Sequence, residues 1–398
     1  MTTQKSWPYW AVGYALLALM IGANLPSPLY QIYMQNWGFS PSTLATIFAS
    51  YAFFLIPSLL IFGRLTDRIG RKPIIIIGLV LAALGIILFV MAQDVSMLIA
   101  ARAIQGIAVG AISGAATAAL TELHPSSDRR SAAIATTLAT AGGTAVGPLL
   151  SGAIAEYAGH ALKAPFFTEL FLLAPAIIAV ILMPETIGKN APSPAVAQSG
   201  TQTETTFDRL SFYIASAAAF VAWSVAALFM SLMPSYVSQL LGLRSLLIGG
   251  ATIFTMLMAS VVAQLTLRGI APKQNIRFGL LLLSIGLCVI VYSMTEKSIV
   301  LFGIGTLLCG LGHGMTFGGA TVLVNMLATP TARGRVLSLY YVVIYLGVGL
   351  PILLTGLLAS HRDLRFSVSV FTGMIVIASL IIGMLLSKQR PTKQLQLE

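Results

Sequence analysis

The 398 residues are 57% hydrophobic and only 9% charged, whereas soluble domains carry about 25% charged residues. So few charges cannot cover a water-exposed surface, so the chain must face lipid. There the backbone has to satisfy its own hydrogen bonds as helices or as a closed barrel. The apolar runs are near-continuous and about twenty residues long, which selects helices, since barrel strands would alternate in segments of about ten residues.

The net charge of +11 does not point to nucleic acid, because the cations sit in short breaks between apolar runs and form no patch or helical stripe. Cys288 and Cys309 fall inside apolar runs and match no metal or redox spacing, so neither a metal nor a cofactor is expected.

In chain order, twelve spans are predicted: 9–30, 42–62, 73–92, 97–121, 131–157, 165–184, 209–233, 244–267, 276–294, 298–328, 333–358 and 366–387. The first is too long for a signal-peptide core and reads as a retained helix behind an aromatic belt of Trp7, Tyr9 and Trp10. Placing both termini in the cytoplasm puts seventeen Lys and Arg on that side and five on the other, with Arg102 left within a span. That bias predicts N-in and C-in.

Residues 185–208 are rich in Pro, Ser, Thr and Gln and cannot bury enough apolar area to order themselves. They read as a linker between an N-terminal bundle (1–184) and a C-terminal bundle (209–398). The halves look related. At a constant offset of 204, Gly106, Gly110 and Gly114 map onto Gly310, Gly314 and Gly318, Gly143 onto Gly347, and Gly152 onto Gly356. A parallel repeat about an axis along the membrane normal is a transporter architecture, with the substrate held near midplane between the halves. No metal-ligand cluster or nucleophile motif lies in the spans, so an enzyme is not expected.

Three motifs sharpen this reading. The break after the second span is Gly63-Arg64-Leu65-Thr66-Asp67-Arg68-Ile69-Gly70-Arg71-Lys72, read as a basic hairpin flanked by Gly63 and Gly70. The fourth span opens Leu98-Ile99-Ala100-Ala101-Arg102-Ala103-Ile104-Gln105-Gly106. The fifth carries Gly143-Thr144-Ala145-Val146-Gly147-Pro148-Leu149-Leu150-Ser151-Gly152. Pro148 removes a helical hydrogen bond and the glycines allow close helix approach.

These segments resemble three signatures of the major facilitator superfamily: its G-x-L-x-D-R-x-G-R-(R/K) loop, its R-x-x-Q-G segment, and the antiporter-associated G-x-x-x-G-P-x-x-G-G. In the last, Ser151 replaces a glycine. The resemblance implies two pseudo-symmetric six-helix bundles working by alternating access. It also implies proton-coupled efflux of an amphiphilic or drug-like small molecule, by a monomer. The alternative is a facilitator or proton-coupled carrier of a small polar solute such as a sugar or organic acid. By the same resemblance Asp67 would close the cytoplasmic gate against the start of the eleventh helix near Gly334 and Arg335. Arg68, Arg71 and Lys72 would contact the gate or anionic membrane lipids.

Proton coupling needs a titrating group inside the membrane. The candidates are Glu169, about one turn into the sixth span, Arg102 entering from the same end, and His313 in the tenth span, with Glu156 ranked lower. Candidate substrate-lining residues are Asn24, Tyr30, Tyr51, Gln105, Trp223, Tyr341 and Tyr345. The resemblance also implies an acid in the first span of many such drug antiporters; this span carries Asn24 but no carboxylate, which argues against cationic cargo.

Overall fold

The computed structural model describes residues 6–124, 129–186, 208–240, 242, 245–267, 269–329 and 333–388. The predicted linker therefore lies almost entirely outside the described residues. Everything regular in them is helical: α1 (Trp7–Asn24), α2 (Tyr30–Trp37), α3 (Pro41–Ile69), α4 (Arg71–Met91), α5 (Val95–Leu123), α6 (Arg129–Tyr157), α7 (Ala164–Leu182), α8 (Arg209–Ser231), α9 (Met233–Leu240), α10 (Leu246–Thr266), α11 (Pro272–Glu296), α12 (Ile299–Leu327), α13 (Arg333–His361) and α14 (Leu364–Lys388). With α1 and α2 taken as one crossing, twelve segments among the described residues are long and apolar enough to span a membrane.

Local chemistry sets the ends. Ser40, Asp94, Asp208, Ser245 and Ser298 each accept a hydrogen bond from the backbone N–H three residues on, capping α3, α5, α8, α10 and α12. Gly38, at φ 66°, ends α2 in the left-handed conformation that glycine adopts at low cost.

Two expectations are corrected. The first span is not one helix. α1 stops at Asn24, a 3₁₀ turn covers Ser27–Leu29, and α2 resumes at Tyr30. Pro26 and Pro28 carry no N–H, so they leave Gly22 and Asn24 without their helical donors. Nor is Gly63–Lys72 a hairpin. α3 runs on through Gly63 to Ile69, and only Gly70 breaks the chain, at φ 104°.

The repeat reappears as equivalent contacts. Gly106 and Gly110 of α5 press on the backbone of α3, at Tyr51 and Leu55; their counterparts Gly310 and Gly314 of α12 press on α10, at Met256 and Ser260. Gly143 of α6 meets α1 at Leu17, and Gly347 of α13 meets α8 at Phe220. At the last pair the halves meet each other. Gly152 of α6 packs on Leu246 of α10, and Gly356 of α13 packs on Pro41 and Ala45 of α3. In a bilayer small residues drive such contacts, because they let backbones gain van der Waals contact that lipid cannot match.

The halves are joined at one end. There Glu156, in the last turn of α6, accepts from Ser245 Oγ at 2.6 Å and from Leu247 N at 2.8 Å. Ser42 N donates to Ser360 Oγ at 2.9 Å across the α3–α13 seam. At the opposite end Asp67, Arg333, Gly334 and Arg335 are exposed, and a side chain added at Gly334 would meet open space.

Candidate functional site

The break in α1 organises the N-terminal half of the site. The Gly22 carbonyl, deprived of a donor by Pro26, accepts from Gln105 Nε2 at 3.1 Å. The Ala23 carbonyl accepts from the Arg102 guanidinium at 2.7 Å, and the same nitrogen donates to Gln105 Oε1 at 2.9 Å. Arg102 and Gln105 lie three residues apart on one face of α5. Together they cap a helix end inside the membrane, where a free carbonyl would be costly. The guanidinium carbon sits 4.5 Å from the Tyr51 ring centre and 5.5 Å from that of Phe48, so two rings of α3 add cation–π support. Arg102 is 2% exposed. It does not snorkel, and among the described residues it pairs with no carboxylate.

Glu169 of α7 is fully buried on the other side of this break. Both carboxyl oxygens lack a hydrogen-bond partner, as does Arg102 Nε. The carboxyl lies against Gly22 so closely that a Cβ there would come within 2.5 Å of Oε1. Around it is a cavity of about 10 Å³, lined by Leu19, Gly22, Ala23, Ala82, Ile86, Gln105, Val109 and Leu173. That is room for about one water. Arg102 and Glu169 are thus not an ion pair. Gln105 and Arg102 hold the successive Gly22 and Ala23 carbonyls, while the Glu169 carboxyl lies against Gly22.

The C-terminal half holds a separate polar cluster. His313 of α12 is 2% exposed, and its Nδ1 lies 2.7 Å from Ser260 Oγ of α10. Gln264 Nε2 donates to the same oxygen at 3.2 Å. The Trp223 ring of α8 stands edge-on to His313 at 5.4 Å and to Phe317 at 5.5 Å. Ser260, Gln264 and Phe317 escaped the sequence reading. The spacing of Ser260 and Gln264 on one helical face was the signal available.

The other predicted lining residues are dispersed. Tyr30 is buried with its hydroxyl unpartnered. Asn24 spends its amide on the Met20 carbonyl of its own helix. Tyr345 is half-buried on α13, four residues after Tyr341 on the same helix. Tyr341 is partly exposed.

The basic motif does not reach α13 in this conformation. Asp67 pairs instead with Arg71 at 2.9 Å, and Arg71 also reaches Glu122 at 3.2 Å. Glu185, placed at the start of the linker from sequence, accepts from the backbone N–H of Arg71 at 3.0 Å and of Lys72 at 3.2 Å. An anion at the N-terminus of α4 offsets its unsatisfied donors. The antiporter-type segment is a packing seam. Gly143 and Gly147 admit α1, while Pro148 and Gly152 meet Gly250 and Leu246 of α10 in the other half.

The Major Facilitator Superfamily model matches residues 12–350 and 270–398. Multidrug resistance protein 2 of Bacillus subtilis is 27% identical over 173 residues, 43% of this chain and 42% of that protein. Quinolone resistance protein NorA of Staphylococcus aureus (strain N315) is 25% identical over 170 residues, 43% of each chain. The chain therefore aligns with under half the length of these curated relatives. Among solved structures, a bacterial homolog of the human lysosomal transporter Spinster, inward-facing and occupied, matches with a TM-score of 0.80 at 15% identity, covering 98% of each chain. The nucleoside transporter NupG matches with a TM-score of 0.75 at 12% identity, covering 96% of this chain and all of that one. Such low identities speak for the fold alone. The matched model takes in nearly the whole chain, and with it the offset-204 glycine contacts and the twelve spans, so this protein belongs to the Major Facilitator Superfamily, a family of membrane transporters and not of enzymes.

Proposed function

We propose that the chain is a proton-coupled exporter of an amphiphilic or drug-like molecule, working by alternating access in a bacterial inner membrane with both termini in the cytoplasm. The observation that carries this reading is Glu169: a fully buried carboxyl with neither oxygen bonded, set against the break in α1. With no donor for either oxygen and no cation paired to it, this conformation suits the uncharged acid. A carboxylate in the same place would be an uncompensated buried charge. Loss of the proton creates an anion that competes with the Gly22 and Ala23 carbonyls for Gln105 and Arg102. Their release from α1 frees the helix break to move. Proton and conformation are then linked through five residues on three helices.

With the termini inside, the joined end would face outward and the exposed end the cytoplasm, an arrangement that suits loading cargo from within. The similarity to two resistance proteins supports efflux. The polar-solute alternative is less favoured by the hydroxyls on α5 and α6. Ser113, Thr117, Thr121, Thr136, Thr140 and Thr144 all donate to the carbonyl four residues earlier, so their donors are spent within their own helices.

The test uses everted membrane vesicles, energised acid inside, with a fluorescent pH reporter. Lipophilic cations, neutral antibiotics, sugars and organic acids are added in turn. Proton release triggered by an amphiphile and lost in Glu169→Gln is the expected result. Absence of release with every compound, alongside uptake of a sugar or organic acid by intact cells, would overturn it.

A further inference from the structure

The cluster around His313 has two nitrogens the export mechanism does not use. His313 Nε2 and Trp223 Nε1 are both buried and have no hydrogen-bond partner. Trp223 Nε1 is a donor and never an acceptor. The state of His313 follows from Ser260. On the same helix Thr252 and Thr266 donate to the carbonyl four residues back, the usual fate of a hydroxyl in a helix. Ser260 makes no such bond; the turn around it is pressed against glycines of α12, Gly310 on the Met256 carbonyl and Gly314 on that of Ser260. Ser260 Oγ accepts from Gln264, and among its hydrogen-bond partners His313 Nδ1 is the one acceptor open to its own hydrogen. The neutral imidazole then carries its proton on Nε2. Two N–H donors are thus held in one cluster of rings with no acceptor between them.

From this we infer that Trp223, His313 and Phe317 form a substrate subsite. It takes a planar aromatic group bearing an oxygen acceptor, a carbonyl or carboxylate, and refuses an ammonium head. The rings supply stacking surface and the two N–H groups read the oxygen. An ammonium brings only more donors. The helices that hold the cluster, α8, α10 and α12, contain no Asp or Glu to receive one. Phe317 and Gln264 form a half-buried rim whose rotation admits the ligand. This deepens the export reading by naming its cargo class, but the binding claim stands apart from proton coupling.

Trp223 itself is the probe. In purified full-length protein with Trp7, Trp10 and Trp37 changed to Phe, its fluorescence is followed while 1-naphthoate, 1-acetylnaphthalene or 1-naphthylmethylammonium is added. The expected result is saturable quenching by the first two and none by the third. His313→Phe keeps the ring and removes the N–H, and weakens naphthoate about tenfold or more. Ser260→Ala leaves the imidazole but frees its tautomer, and weakens naphthoate less. Ser260→Ala alone decides the point if His313→Phe does not fold. Equal quenching by all three probes, preference for the ammonium, no saturable quenching, or affinity unchanged in both variants would overturn the subsite. If quenching fails while vesicles still release protons on adding an amphiphile, the subsite falls and the export reading stands. Specific quenching without proton release keeps the subsite and removes the export reading.

Discussion

Glu169 and Gly22 make the most exposed claim at the scale of single residues. Gly22→Ala places a methyl group 2.5 Å from Glu169 Oε1, an overpacking expected to cost about 1–3 kcal/mol. Thermal unfolding in detergent measures it. Glu169→Ala in the same chain should recover most of that loss while leaving proton release abolished, so a double-mutant cycle separates packing from coupling. The burial of Glu169 and Arg102 is legible in the sequence, since both lie inside apolar runs where ionisable groups are costly and therefore informative. Gly22 was not legible. Its importance arises from a side chain nearly 150 positions away, and nothing in its neighbours marks it. The same holds for Ser260, a small polar residue among many, which matters only because α12 lies against it.

At the scale of elements, the helices were read to within a few residues, since length and hydropathy fix a membrane crossing. The errors came where two rules compete. The first span was read as unbroken because apolar character continues through Pro26 and Pro28, yet the missing N–H groups end α1. The basic segment was read as a loop because it is charged, yet it stays helical as far as Gly70. Caps at the helix ends give a pH-dependent prediction. Asp94 accepts from Ser96 Oγ at 2.6 Å and from Met97 N at 2.9 Å, and these bonds hold its carboxyl below the usual carboxylate range. Asp208 is held low by Ser211 in the same way. A lowered folded-state pKa stabilises above the unfolded value and is lost as pH falls through the folded one. The melting temperature should therefore be flat near neutrality and fall below about pH 4, with a shallower fall in Asp94→Asn, which still caps but does not titrate. Glu185→Gln should destabilise by about 0.3–1 kcal/mol at low salt and less at high salt, as an anion at a helix N-terminus does. Urea unfolding at two ionic strengths would show it.

At the scale of the molecule, the end that is shut is latched by a carboxylate, Glu156, at the N-terminus of α10. The sequence reading expected the mirror of this arrangement, with Asp67 at the N-terminus of α13, at the end that stands parted here. A carboxylate latch at each end, Glu156 here and Asp67 as the resemblance implies, would suit a protein that closes one end while opening the other. A cross-link tests this. With Cys288→Ser as background, Ser42→Cys and Ser360→Cys should form a disulfide under mild oxidation, stop substrate movement, and regain it on reduction. Asp67→Cys and Gly334→Cys should fail to bridge while the first link is in place. If the second pair bridges freely alongside the first, the alternation fails.

Glu169 is enclosed by α1, α4, α5 and α7, whereas the rings of Trp223, His313 and Phe317 belong to α8 and α12. If Glu169 carries the proton and the rings take the cargo, as proposed, the two share no atoms. Selection on the cargo side could exchange rings and hydrogen-bonding groups one at a time, each step leaving the engine intact. If export is proton-coupled as proposed, the transporter would come to accept a new compound by ordinary point mutation, without a passage through an uncoupled intermediate.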